Sequence, residues 1–164
     1  LLPQQLPAMP AEQDRSGLPV VEQKQSAGQS IPAADYRAAR VLLVDDDVRN
    51  LLALTPLLEQ WGLDVMAAGD GEEALDTLAT AGPFDVLLID IMMPGMDGYT
   101  VIRQLRKEPG FANLPVIALT ARASDEDRQQ CLAAGANDCV VKPLEPRVLK
   151  LALDEYLTDK TASN

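Results

Sequence analysis

The stretch VLLVDDD at residues 41–47 decides the fold, because four apolar residues lead directly into three aspartates. A second apolar run, VLLID at residues 86–90, ends on a single aspartate, Asp90. Short runs of Val, Leu and Ile are typical of parallel strands buried on both faces, and open α/β sheets place their sites at the carboxyl ends of such strands. Carboxylates this close stay ionised together only with a cation among them, so the two runs predict a divalent metal site suited to phosphoryl chemistry.

From residue 40 onward, apolar strand-like runs alternate five times with amphipathic segments. This alternation predicts an α/β fold with a doubly wound, five-stranded parallel sheet and five helices. The strands are expected at about residues 40–45, 64–68, 85–90, 115–120 and 139–142. The helices are expected at about 48–60, between Asp70 and Gly82, at 98–107, between Ser124 and Gly135, and at 145–157.

The first part of the chain has a different composition. Residues 1–39 are rich in Pro, Gln, Ala and Ser and lack a helical or strand period, which is typical of a flexible interdomain linker. We therefore expect the folded domain at 40–158 and a short C-terminal tail at 159–164. Because the chain begins with Leu1 and not with Met, we expect it to belong to a longer protein.

Charge and composition exclude several classes of function. The net charge of −11 lies wholly within residues 41–164, since residues 1–40 hold four acidic and four basic side chains, and such an acidic field opposes direct nucleic-acid binding. Histidine is absent, so this segment has no histidine base, metal ligand or phosphohistidine of its own. No apolar stretch is long enough to span a membrane, which predicts no membrane contact by this segment. Cys131 and Cys139 match neither a metal pair nor a disulfide framework, which favours a reducing, cytoplasmic compartment.

The residues at the predicted strand ends are candidates for the site. Asp45 and Asp46 follow the first strand, Asp90 ends the third, Thr120 closes the fourth and Lys142 closes the fifth. A hydroxyl and an ammonium beside carboxylates supply the contacts that a phosphoryl group with charged oxygens needs. Each residue also has a structural interpretation: the acids as helix caps or turn formers, Thr120 as a turn hydroxyl, and Lys142 as a solvated charge.

Four motifs stand in order along the chain: VDDD at 44–47, Asp90 followed by MMPGMDG at 92–98, ALTA at 118–121, and VKP at 141–143. Together they resemble the receiver domain of response regulators, and the resemblance covers residues 40–158. It implies the flavodoxin-like receiver fold, with strand order 2-1-3-4-5, and a phospho-accepting module of a two-component phosphorelay. Such a module catalyses its own phosphorylation and dephosphorylation.

The same resemblance implies a metal site. Asp45 and Asp46 become the acidic pair for Mg²⁺, or Mn²⁺, with Asp46 favoured as the direct ligand. Asp90 and the main-chain carbonyl of Met92 complete the protein ligands. Oxygen donors of this kind suit a hard divalent cation.

Roles around the phosphoryl group follow from the resemblance as well. Asp90 becomes the phospho-acceptor nucleophile, Thr120 the switch hydroxyl that turns toward the phosphoryl group, and Lys142 its ion-pair partner. A carboxylate attacks phosphorus only when the charge of the transferred group is neutralised, which the metal and Lys142 would do. The bond between Lys142 and Pro143 is expected to be cis.

The chain departs from the family pattern at several positions. Cys139 stands where the family usually has an aromatic ring three residues before Lys142. It is either a redox sensor or a small buried filler, and the filler is the favoured interpretation. Asp47 replaces a common Asn and should add negative charge near the metal. Met92 and Arg122 occupy positions that influence the lifetime of the aspartyl-phosphate, and an apolar Met92 favours a longer lifetime.

The context and partners are also expectations from resemblance. RNLLAL at 49–54 and AGAND at 134–138 are most similar to receivers fused behind the catalytic part of hybrid sensor histidine kinases. The donor would then be the phosphohistidine of a kinase dimerisation domain or of a histidine-containing phosphotransfer protein. We expect a cytoplasmic domain, tethered to a membrane-bound sensor if the parent kinase has one.

Two other functions stay open at this point. A Mg²⁺-dependent phosphatase with an aspartate nucleophile would place a second acid two residues after Asp90, where this chain has Met92. A purely structural pseudo-receiver would have lost the site, whereas all of its candidate residues are present here.

Overall fold

The computed structural model describes Tyr36 and residues 38–122 and 124–162, with side chains as far as Leu157. Most of the predicted linker at 1–39 and the last two residues of the predicted tail at 159–164 lie outside the described residues. The division into linker, domain and tail therefore stays a prediction. Among the described residues, no helix combines the length and the apolar character that crossing a bilayer requires.

Five strands and five α-helices alternate along the described chain. The strands are β1 (Arg40–Val44), β2 (Asp64–Ala68), β3 (Val86–Asp90), β4 (Val116–Thr120) and β5 (Asp138–Val141). The helices are α1 (Val48–Gln60), α2 (Gly71–Ala81), α3 (Gly98–Arg106), α4 (Asp125–Ala134) and α5 (Pro146–Ala162). All strands are parallel in the order β2-β1-β3-β4-β5, which confirms the predicted sheet of order 2-1-3-4-5.

The last helix is longer than its sequence pattern indicates. Its predicted end at residue 157 is wrong by five residues, because α5 continues to Ala162. The apolar period stops at Leu157, but neither Gly nor Pro follows to end the helix. The helix therefore extends into the region predicted as tail.

The sheet is buried on both faces. All residues of β3 and β4 are buried, and so are those of β1 after Arg40. Successive strand residues point to opposite faces, and Leu42 and Val44 join one apolar cluster with residues of α2, α3 and α4. Leu43 lies between them and therefore points to the other face, where α1 and α5 pack.

Packing against the domain begins before the first strand. Tyr36 is only 2% exposed, and its hydroxyl donates a hydrogen bond to Asp154 Oδ1 of α5 at 2.7 Å. Lys150, one helical turn earlier, pairs with the same carboxylate at 3.0 Å from Nζ to Oδ2. Tyr36 is thereby fixed to the last helix.

The register of the sheet sets the position of the acids. Val44 of β1 pairs with Ile89 of β3. The residues that follow, Asp45 and Asp90, consequently lie next to each other at the carboxyl edge. The ends of β4 and β5 reach the same edge, because all strands run in one direction.

Gly98, the first residue of α3, packs against the main chain at the end of β3. A Cβ at this position would lie 2.6 Å from the carbonyl oxygen of Asp90 and 2.8 Å from Cα of Ile91. We predict that Gly98→Ala lowers the free energy of unfolding, measured by urea denaturation, by about 2 kcal/mol. Gly110→Ala is the matched control, because a Cβ there meets no atom within 4 Å. Equal losses in the two variants would contradict this account.

Candidate functional site

The predicted site residues lie at the carboxyl ends of four strands. Asp45 and Asp46 follow β1, Asp90 ends β3, Thr120 ends β4 and Lys142 follows β5. Asp45 is wholly buried, Asp90 and Thr120 are 4% and 3% exposed, and Asp46 is exposed. Each of the three aspartates offers a carboxylate oxygen, and these oxygens lie within 4.8 Å of one another. The sheet edge thus presents an acidic group that is buried on one side and open to solvent on the other.

Lys142 connects two of the carboxylates. Its Nζ lies 3.0 Å from Asp45 Oδ2 and 3.3 Å from Asp90 Oδ2. Its main-chain N–H donates to the carbonyl of Thr120 at 2.7 Å, and its peptide bond to Pro143 is cis, as expected. With a side chain only 22% exposed and two carboxylate partners, Lys142 is not a solvated charge.

The charges in this group do not balance. Burial raises the pKa of the Asp90 carboxyl, and the charge of Asp45 adds to the rise while Lys142 opposes it. The pKa of Lys142 is also raised: burial, the largest influence, lowers it, but the hydrogen bonds and charges of the two carboxylates together outweigh burial. One ammonium therefore faces two buried carboxylates, and Asp46 adds a further acid from the solvent side.

The donor set fits a hard divalent cation. Such ions prefer carboxylate and carbonyl oxygens, and three carboxylates converge here. An ion among them would neutralise the negative charge that Lys142 leaves uncompensated. The main-chain N–H of Met92 donates to Asp90 Oδ1 at 3.2 Å, so the Met92 peptide lies beside the acidic group. The Met92 carbonyl as a metal ligand stays a prediction.

Asp47, the third aspartate of the run, caps α1. Its Oδ1 accepts a hydrogen bond from the N–H of Arg49 at 2.9 Å, and its Oδ2 lies 2.9 Å from the Arg49 guanidinium. The side-chain bond from Arg49, followed by the main-chain bond, lowers the pKa of Asp47. Asp47 is thus a helix cap, and Arg49 offsets the negative charge that Asp47 is expected to add near the metal site.

Asn50 is a residue of the site that the sequence pattern did not single out. Its Nδ2 donates to Asp45 Oδ2 at 3.0 Å, while the N–H of Asp47 donates to Asp45 Oδ1 at 2.9 Å. Both oxygens of the buried carboxylate are therefore held in place. The available signal was the location of Asn50 in the first turn of α1, which starts at the same strand end.

Thr120 makes a turn contact, as its structural interpretation predicts. Its Oγ1 accepts a hydrogen bond from the N–H of Arg122 at 3.1 Å. A hydroxyl that accepts one bond still has its own proton to donate. Because Leu119 pairs with Asp90, Thr120 stands one residue beyond the partner of Asp90 on the neighbouring strand. The turn contact and a role beside Asp90 are therefore compatible.

Comparison with known proteins agrees with this geometry. Residues 41–154 match the family model of the response regulator receiver domain. The chain belongs to this family. As a receiver, it is a phospho-accepting domain of two-component signalling.

Relatives of the receiver occur in proteins of different architecture. It is 42% identical over 116 residues to the sensor histidine kinase GacS of Pseudomonas protegens, covering 69% of this chain and 12% of that protein. It is 41% identical over 111 residues to the CpxR homologue, a transcriptional regulatory protein of Haemophilus influenzae, covering 68% of this chain and 47% of that protein. The receiver thus spans less than half the length of either relative.

A solved structure shares the fold closely. The receiver domain of sensor histidine kinase PA1611 from Pseudomonas aeruginosa superposes with a TM-score of 0.68 at 32% identity, covering 74% of this chain and 98% of that chain. That domain was crystallised with a magnesium ion coordinated in its active-site cleft.

The exposed acid of the group allows a test of cation binding. We predict that Asp46→Asn weakens Mg²⁺ binding, measured by titration calorimetry, by about tenfold or more, because an open carboxylate ligand loses its charge. Without metal, the thermal unfolding midpoint should stay the same or rise, since one negative charge leaves the acidic group. Asp76→Asn, at an exposed acid of α2, is the control. Unchanged Mg²⁺ affinity in Asp46→Asn would contradict the assignment.

Proposed function

We propose that this receiver takes a phosphoryl group from a phosphohistidine onto Asp90. Its Mg²⁺, or Mn²⁺, would be held by three carboxylates and one main-chain carbonyl, those of Asp45, Asp46, Asp90 and Met92. The observation that carries the proposal is the position of Lys142, whose ammonium contacts both Asp45 and Asp90. That contact puts a fixed positive charge within 3.3 Å of the proposed nucleophile.

The transfer follows from these positions. A carboxylate oxygen of Asp90 attacks phosphorus, and the bond from phosphorus to the histidine nitrogen breaks. Lys142 neutralises charge on the incoming phosphoryl oxygens, and a divalent cation held by the carboxylates would add to that neutralisation. Asn50 keeps Asp45 oriented, so little reorganisation is needed when the phosphoryl group arrives. Thr120 is proposed as the hydroxyl that turns toward the phosphorylated Asp90.

The surface beside the acids suits a protein donor. Val48 and Leu52, four residues apart on α1, are 62% and 69% exposed, and Met92 after β3 is 63% exposed. Exposed apolar side chains contribute to interaction sites where they lie together on a surface. We propose that the helices carrying the donor histidine dock on this side, which brings the phosphohistidine to Asp90.

The parent protein is proposed to be a hybrid sensor histidine kinase, with this receiver in the cytoplasm. Similarity to GacS and to the PA1611 receiver supports this context. The CpxR homologue shows that domains of similar sequence also belong to transcriptional regulators. The donor would be the kinase dimerisation domain or a histidine-containing phosphotransfer protein.

The alternatives explain fewer observations. A phosphatase of the aspartate-nucleophile type would need an acid at Met92, whose exposed side chain is apolar. A structural pseudo-receiver has no reason to bury Asp45 and Asp90 around an ammonium, since such groups are costly to desolvate.

The acceptor can be tested without a partner. Incubation with Mg²⁺ and acetyl phosphate should add one phosphoryl group to the intact mass of the wild-type protein and none to Asp90→Asn, which lacks the nucleophile. Asp76→Asn should be labelled like the wild type. Steady hydrolysis of phosphomonoesters would favour the phosphatase, and an unlabelled wild-type protein would favour the pseudo-receiver.

The lifetime of the aspartyl-phosphate gives a second test. The thioether of Met92 is only a weak hydrogen-bond acceptor for a water molecule that attacks phosphorus, whereas an amide both donates and accepts. We predict that Met92→Asn shortens the lifetime severalfold, followed by the decay of the phosphorylated mass after removal of the donor. Met92→Leu, which keeps an apolar side chain, should decay like the wild type. Equal lifetimes in Met92→Asn and Met92→Leu would contradict the proposed effect.

A further inference from the structure

The two cysteines of the chain meet in the folded domain. Cys131 lies on α4 and Cys139 on β5, and the Cys139 thiol donates to Cys131 Sγ across 3.5 Å. Both are free thiols, and the chain has no other cysteine. The favoured interpretation of Cys139 as a small filler holds in part, because it packs against the apolar cluster that contains Cys131. A residue that only fills space does not need a second thiol beside it, and Cys139 has one in Cys131.

The two thiols differ in access. Cys131 is wholly buried, whereas Cys139 is partly exposed. Burial, followed by the bond to Cys131, raises the pKa of the Cys139 thiol to about 12. Since the thiolate is the reactive form, such a pair reacts slowly with oxidants at neutral pH. A reagent meets Cys139 first, and Cys131 is the second thiol to react.

We propose that Cys131 and Cys139 form a reversible disulfide that fastens α4 to β5 under sustained oxidation by a low-molecular-weight disulfide, and that the oxidised receiver accepts a phosphoryl group more slowly. Closing the bond requires the two sulfurs to approach by about 1.5 Å, from 3.5 Å to the length of a disulfide bond.

The chemistry balances as a thiol–disulfide exchange. Cys139 loses its proton and attacks one sulfur of the oxidant, which forms a mixed disulfide and releases one thiol. Cys131 then loses its proton and attacks the Cys139 sulfur, which releases the second thiol. The two cysteines give up two electrons and two protons, and the oxidant becomes two thiols.

The position of the pair connects it to the site. Cys139 pairs with Ala118 of β4, two residues before Thr120. From Thr120 the chain passes through a short connection into α4, which begins at Asp125 and carries Cys131. A bond from α4 to β5 therefore restrains the segment that a movement of Thr120 has to displace. This second half of the inference rests on the proposed function.

The bond itself is tested by mass spectrometry. The full chain is incubated with oxidised glutathione at mildly alkaline pH and should lose the mass of two hydrogens, with no cysteine left to alkylate. Cleavage before Asp138 separates the two cysteines in sequence, so a linked pair of peptides identifies the bond. The thermal unfolding midpoint should rise by about 5 °C on oxidation. Glutathione adducts or linked dimers alone would overturn the proposal.

The effect on the site is tested with acetyl phosphate and Mg²⁺. The oxidised protein should be labelled severalfold more slowly than the reduced protein, and a thiol reductant should restore the rate. Cys139→Ala removes the accessible thiol, keeps a small apolar side chain and leaves only the buried Cys131, so it should show one rate under both conditions. Equal rates for the oxidised and reduced wild-type protein overturn the effect on phosphorylation. If the reduced protein takes up no phosphoryl label, the proposed function is overturned instead. The mass measurement of the disulfide does not depend on phosphorylation, so the two failures can be distinguished.

Discussion

The site depends on one contact, the Lys142 ammonium between the carboxylates of Asp45 and Asp90. Two carboxylates excluded from solvent at adjacent strand ends repel each other and are costly to desolvate. The register that pairs Val44 with Ile89 makes this proximity unavoidable, because it fixes both acids at the same edge. Compared with an apolar core, a buried ion pair adds little net stability. Its presence is better explained by its effect on a phosphoryl group than by any contribution to folding.

The sequence predicts the sheet and the acidic group well, for a simple reason. Short apolar runs separated by amphipathic helices allow few arrangements, and the rule that sites gather at the carboxyl ends of parallel strands places Asp45 beside Asp90. What it does not predict is the direction of side chains just beyond a strand. The Asp47 side chain caps α1, and the Asn50 side chain points back to Asp45. Both side-chain directions depend on where the first turn of α1 begins.

The periodicity of the sequence likewise does not predict contacts between a helix and a neighbouring strand. Cys131 and Cys139 belong to elements with different periods, so no single repeat relates them. The packing of α4 against β5 brings their sulfurs together. The end of α5 was missed for a related reason. An apolar period reports where a helix is buried, whereas the backbone of α5 continues to Ala162 without such a period.

The buried hydroxyl of Tyr36 has a mechanical consequence. Before the described chain reaches β1, an interior strand of the sheet, Tyr36 is anchored at Asp154 on α5. A force applied to the chain at Tyr36 therefore acts on α5 before it acts on the sheet. The same anchor means that a truncation at residue 40 removes a buried aromatic ring and leaves the α5 carboxylate without its phenol.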